Sequence, residues 1–190
     1  GNRTLKRTPA GDQALGYDAN NQLTSATNPE AANESFSYDQ LGNRTQDQAQ
    51  SYVFDPKKQR LQEDALYLYA FDDNGNLSSK QSKIGNEVTN YIYSAENQLV
   101  SIEFYVNNQL VKEAHYSFDA LGRRLQKEII DHVDGNKSIT RRYAYDGSEI
   151  LAELDEDNHT LAVYTHSGLR TDDVLAVDIT ADGQVKGLAL

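Results

Sequence analysis

Cysteine, methionine and tryptophan are absent from the 190-residue chain, and proline occurs three times. Without cysteine there is no disulfide, no thiolate nucleophile and no cysteine-based zinc site, while the compartment stays open. Basic residues are scarce, since 18 Lys and Arg face 29 Asp and Glu and leave a formal net charge of −11. That balance argues against sequence-independent nucleic-acid binding, which needs cations to displace counterions from phosphates. It also disfavours binding to anionic membrane surfaces. No apolar run approaches the ~18 residues of a membrane-spanning helix. The first residues lack the basic-then-apolar layout of a signal peptide.

Hydrophobic residues make up 38% of the chain and the mean hydropathy is −0.71. Both values are low for a protein that buries a thick core. Yet 12 Tyr and 5 Phe are too many for a disordered chain. A thin sheet with amphipathic tyrosines on its faces satisfies both facts.

One phrase recurs. YSFDALGRRL (116–125) resembles FSYDQLGNRT (36–45) and YAFDDNGNLS (69–78). The pattern returns at Tyr17-Asp18, Tyr38-Asp39, Phe54-Asp55, Phe71-Asp72, Tyr93-Ser94, Phe118-Asp119 and Tyr145-Asp146, at spacings of 16 to 27 residues. Two residues before each aromatic stands another, namely Phe36, Tyr52, Tyr69, Tyr91, Tyr116 or Tyr143, with Leu15 as the exception. Residues i and i+2 of a strand share a face, so each pair is a short aromatic stripe. Successive stripes are expected to lie side by side across strands.

Three positions after the aspartate comes Gly42, Gly75 or Gly122, with Asn21 and Asn97 in equivalent places. Gly and Asn tolerate positive φ, and Asp opening a type I turn with Gly closing it is preferred turn chemistry. The phrase therefore predicts a hairpin, with positive φ at these five residues. VNNQL (106–110), KIGNEV (83–88), VDGNKS (133–138) and DEDNHT (155–160) carry turn signals for the opposite ends. PEAANES (29–35) is helix-like in composition but too short to stand as a helix. Pro9, Pro29 and Pro56 fall in expected turns. The fold class is thus all-β: antiparallel hairpin repeats forming a curved strip of sheet.

Gly1-Asn2-Arg3-Thr4 matches Gly42-Asn43-Arg44-Thr45 residue for residue. The chain is therefore expected to begin inside a repeat, as a slice of a longer array. The edge strands of such a slice would be open to further chains.

The phrase [YF]-D-x-x-G-[NR]-[RL], best copied in YDQLGNRT (38–45) and FDALGRRL (118–125), resembles the YD repeat of the Rhs family. That family includes bacterial polymorphic toxins, C components of insecticidal Tc complexes and, distantly, the teneurins. The resemblance covers essentially the whole chain. Residues 1–140 are similar to YD repeats, and 141–190 to the segment leading into the Rhs core. It implies a structural shell segment around a C-terminal toxin domain, in a secreted bacterial protein exported without a signal peptide in this segment. The implied partners are the remainder of the shell, the enclosed toxin, and a secretion-system or toxin-complex component. The alternative is an extracellular carbohydrate- or cell-surface-binding module that uses exposed Tyr rows.

No catalytic, cofactor or metal residue emerges, and the chain is not expected to be an enzyme. Paired-carboxylate catalysis needs two carboxyls in different environments, whereas this pattern places them in equivalent turns. The family's aspartic autoprotease is associated with DPxG-like sequences, but the one Asp-Pro here, Asp55-Pro56, is followed by Lys57. DDNGN (72–76) and DEDNH (155–159) lack the ligand order of a calcium loop. His115, His132, His159 and His166 show no metal-ligand spacing, and neither a nucleophile elbow nor a phosphate loop is present.

Overall fold

A computed structural model describes residues 1–48, 50–168, 173–181 and 184–189. Among them every regular element is a strand. In chain order these are β1 (Leu5–Thr8), β2 (Gly11–Tyr17), β3 (Leu23–Ala26), β4 (Glu34–Tyr38), β5 (Arg44–Asp47), β6 (Gln50–Ser51) and β7 (Val53–Phe54). There follow β8 (Leu61–Glu63), β9 (Tyr67–Phe71), β10 (Leu77–Ser82), β11 (Glu87–Tyr93), β12 (Leu99–Val106) and β13 (Gln109–Phe118). The last six are β14 (Arg124–Asp131), β15 (Lys137–Asp146), β16 (Glu149–Leu154), β17 (Thr160–His166), β18 (Val174–Ala181) and β19 (Gln184–Ala189). The helix-like stretch 29–35 holds no helix: 29–33 is a loop and 34–35 open β4, with Asn28 Nδ2 donating to the Ala32 carbonyl at 3.0 Å and the Asn28 N–H to Asn33 Oδ1 at 3.0 Å.

The chain forms two compact units. The first comprises Gly1–Ala70 with Lys80–Gly85, and the second Phe71–Ser79 with Asn86–Leu190. Within the first, β1 to β6 pair in chain order as an antiparallel sheet, and β7, β8 and β9 form a short meander. Within the second, β11 to β19 pair antiparallel, each with its sequence neighbour. Within each of these paired runs a strand is joined to the next one in sequence, so no long crossover is needed.

The strands follow from alternation. β4 (ESFSY) and β9 (YLYAF) place half-buried and exposed residues in strict succession, with Phe36, Tyr38, Tyr67, Tyr69 and Phe71 on the half-buried side. The sheets are thin, as the composition implies. Among the described residues the buried ones are Ala26, Ala162, Ser101 and Thr140, all small, and no large side chain is fully enclosed.

A bulge recurs beside the repeat turns, and the sequence reading missed it. Tyr17 pairs with Leu23 while Gly16 pairs with Ser25, leaving Thr24 as the extra residue. The same shift leaves Thr45 between the partners of Tyr38 and Ser37, Val100 between those of Tyr93 and Ile92, and Leu125 between those of Phe118 and Ser117. An extra residue on one strand bends that strand and increases its local twist.

Candidate functional site

The repeated turns have one geometry. At Asp39 the Gly42 N–H donates to the Asp39 carbonyl at 3.2 Å and the Asp39 N–H to the Asn43 carbonyl at 3.0 Å. Asp39 Oδ1 accepts the N–H groups of Leu41 and Asn43, both at 2.9 Å. Asp18 and Asp119 repeat this arrangement, and Ser94 reproduces it with its hydroxyl. The five expected left-handed residues have positive φ: Asn21 (65°), Gly42 (88°), Gly75 (97°), Asn97 (61°) and Gly122 (81°). This is a type I turn closed by a left-handed residue, the three-residue hairpin loop. The aspartate turns the corner.

Two copies depart from it. Asp55 is followed by one more residue, so Phe54 pairs with Leu61 and Gln59 takes the positive φ of 53°. The phrase at Tyr145-Asp146 was expected to make the same turn, but Asp146 pairs directly with Glu149 across a two-residue loop in which Gly147 has φ 59°. Gly at the first position of a two-residue loop, as in Gly147-Ser148, favours that tighter hairpin. Asp155 instead forms the repeat geometry at the β16–β17 connection, with Asn158 at φ 66° and Oδ1 accepting from Asp157 and His159. Without aromatics at 152 and 154, DEDNHT reads as an ordinary connection.

The residue at position +4 from the aspartate, which follows the left-handed residue, ties its turn to itself, to a neighbour, or, at Asn76 and Arg123, to both. Asn43 Nδ2 donates to Asp39 Oδ2 at 3.0 Å, Asn76 Nδ2 to Asp72 Oδ2 at 2.9 Å, and Arg123 Nε to Asp119 Oδ2 at 2.6 Å. Outward, Asn76 Nδ2 also donates to Asn97 Oδ1 at 2.9 Å, Gln22 Nε2 to the Gly42 carbonyl at 3.4 Å, and Arg123 to the Gly147 carbonyl. Asn2, which matches Asn43 in the Gly-Asn-Arg-Thr sequence, donates to Asn21 Oδ1 at 2.8 Å.

Three tyrosines of the phrase reach backward. Tyr17 Oη donates to the Arg3 carbonyl at 3.0 Å, Tyr38 Oη to Leu23 at 2.8 Å, and Tyr145 Oη to Arg124 at 2.9 Å. Each acceptor stands at the +5 position of the preceding phrase, and Leu23 and Arg124 are each followed by the bulged residue.

The aromatic pairs share a face, as expected: Phe36 and Tyr38, Tyr69 and Phe71, and Tyr91 and Tyr93 flank an exposed residue in each strand. They do not lie side by side across strands. A return strand intervenes, so Tyr91 pairs with Ile102, Tyr116 with Lys127 and Phe118 with Arg124. Cations fill the space between stripes. Arg44 lies 4.6 Å from the Phe36 ring centre, Lys80 3.7 Å from Tyr67, and Arg123 4.9 Å from Tyr145. Arg124 stands 5.9 Å from Tyr116 and 4.8 Å from Tyr143.

The oxygens that suggested calcium are already engaged, Asp72 with Asn76 and Asp155 with Asp157 and His159. Among the described residues no group of His, Asp and Glu is arranged to hold a metal ion. The histidines meet carboxylates: His159 Nδ1 is 3.2 Å from Asp155, His166 Nε2 is 3.3 Å from Glu149, and His115 and His132 both reach Glu113. Glu113 and His115 are two apart on β13 and share its face, whereas antiparallel register or a hairpin turn brings the other pairs together.

Hydrogen bonds set the carboxyl acidities. The Asn43 amide, with the N–H groups of Asn43, Leu41 and Gly42, holds Asp39 below the usual carboxylate range, and the Asn76 amide and N–H do the same for Asp72. At Asp119 partial burial pushes upward, but the Arg123 N–H and guanidinium with the Leu121 N–H outweigh it. A carboxyl held below its ordinary value of about 3.9 contributes stability that is complete above that value and is lost as the pH falls through the lower folded value. The urea midpoint is therefore expected to drop below about pH 4. Asp39→Asn combined with Asp72→Asn should make that acid limb shallower; an unchanged limb would show that these turns contribute nothing to it.

Residues 17–50 match the family model described as RHS Repeat. Over 156 residues the chain is 26% identical to the tRNA3(Ser)-specific nuclease WapA of Bacillus spizizenii, covering 79% of this chain and 6% of that protein. Among solved structures, TcdB2-TccC3-TEV is similar with a TM-score of 0.46 and 18% identity, covering 92% of this chain and 10% of that one. A porin-like protein from Bacteroides uniformis is similar with a TM-score of 0.43 and 12% identity, covering 97% of this chain and 90% of its own. The chain thus spans a small part of the nuclease and of the TcdB2-TccC3 chain.

Proposed function

We propose that this RHS-repeat chain is a wall segment of a shell that encloses a C-terminal toxin domain in a secreted bacterial protein. Its role is structural, with residues 1–140 as the repeat array and 141–190 leading into the core of the shell. Its partners are the rest of that shell, the enclosed domain, and a secretion-system or toxin-complex component. One observation carries the reading: phrases are fastened to one another by the +4 side chains and by the backward-reaching tyrosines. An array built this way extends by whole hairpins at constant local geometry. The cations over Phe36, Tyr67, Tyr116, Tyr143 and Tyr145 support packing rather than sugar stacking as the work of those rings.

The test uses the protein encoded by the full reading frame. Limited proteolysis should leave the domain downstream of this chain intact while the wall is folded, and digest it once mild denaturant opens the repeats. Digestion at the same rate in both states would overturn the shell reading.

A further inference from the structure

We propose that Glu113, bracketed by His115 and His132, is a pH-operated latch that fastens the β14–β15 turn onto β13 and tightens from alkaline toward mildly acidic conditions. Glu113 Oε1 lies 2.9 Å from His132 Nε2, and its Oε2 lies 3.1 Å from His115 Nε2. The other ring nitrogen of His132, Nδ1, stands 2.8 Å from Asn136 Oδ1, in the turn that follows β14. Both nitrogens of His132 thus face oxygen acceptors. A neutral imidazole carries one N–H and must turn a lone pair toward one of those oxygens, whereas the imidazolium donates to both. The charged ring satisfies both acceptors at once.

The surroundings favour the same state. Glu103 stands directly opposite Glu113 on β12, and Glu128 directly opposite His115 on β14. Tyr105 Oη donates to Glu103 at 3.0 Å, and from β15 Ser138 Oγ donates to Glu128 at 3.0 Å. Lys112 and Asp131, at positions of opposite parity on β13 and β14, pair with each other at 3.1 Å, and Lys137 faces Asp134 at 3.9 Å. Like charges opposite one another in a sheet repel, so Glu103 and Glu113 gain from a positive charge on His132 beside Glu113. The hydrogen bonds to Asn136 and Glu113, with the charges of Glu113 and Asp131, hold His132 above its ordinary value against the opposing effect of burial. A raised folded value means that the latch is fully closed below about pH 6.5 and loosens as the pH rises through the folded value.

Hydrogen exchange on the full chain, corrected for intrinsic rates, tests this at pH 6 and pH 8. The amides of residues 111–115 and 128–132 should be several-fold better protected at pH 6. In His132→Gln, which keeps a polar side chain but cannot ionise, that difference should vanish. No difference in the native chain, or the same difference in the variant, would overturn the latch. Should His132→Gln fail to fold, Glu113→Gln gives an independent reading by NMR titration. The His132 midpoint should fall toward that of free histidine, and an unchanged midpoint would overturn the proposal.

Discussion

Gly122→Val should destabilise the second unit by about 1–3 kcal/mol, because a β-branched residue is forced to a φ that only glycine adopts without strain. Gly122 sits at φ 81°, and its N–H closes the turn on the Asp119 carbonyl at 3.0 Å. A Cβ placed there would meet Gln98 Nε2 at 3.4 Å, ordinary contact with the end of a flexible side chain. The penalty therefore comes from the backbone and not from a clash. Gly122→Asn should cost much less, since asparagine already occupies the equivalent positive-φ sites at Asn21 and Asn97. Chemical denaturation of the three proteins would show the order Gly, Asn, Val. Equal stability of the Val and Asn variants would refute the backbone explanation.

Arg124→Ala should have an effect of similar size, about 1–3 kcal/mol, for a different reason. Its guanidinium lies against both Tyr116 and Tyr143 and donates to Tyr143 Oη at 3.3 Å. In a sheet whose buried residues are all small, an arginine bridging two rings supplies packing that a core would provide elsewhere. Arg124→Lys should recover a minor part of the loss, because a compact ammonium cannot present a flat face to two rings. Full recovery by lysine would show that charge alone matters at this position.

The hairpin geometry was legible because it depends on residues close in sequence. Asp39, Leu41, Gly42 and Asn43 interact within four positions, and the identity of each one announces its conformation. The thin sheet was legible from composition for a similar reason, since little apolar material leaves little to bury. What stayed hidden depends on register. Thr24 and Leu125 look like any strand residues until their partners are known to skip them. Stripes such as Tyr91-Tyr93 and Tyr116-Phe118 suggested ring-on-ring packing, yet a meander must place a return strand between them. Asp155 was not legible as a copy of the phrase because its turn needs only the aspartate and Asn158 and lacks the preceding aromatics.

The backward-reaching tyrosines bear on how such a chain is made. The carbonyls of Arg3 and Leu23 are each claimed by a hydroxyl that leaves the ribosome 14 or 15 residues later. A newly made hairpin therefore waits, with an acceptor facing solvent, until its successor emerges and completes it. Folding of the array follows the direction of synthesis, and each step adds one unit to a template already in place. Phe at 54, 71 and 118 lacks that hydroxyl, so at those steps the growing sheet relies on packing and strand pairing.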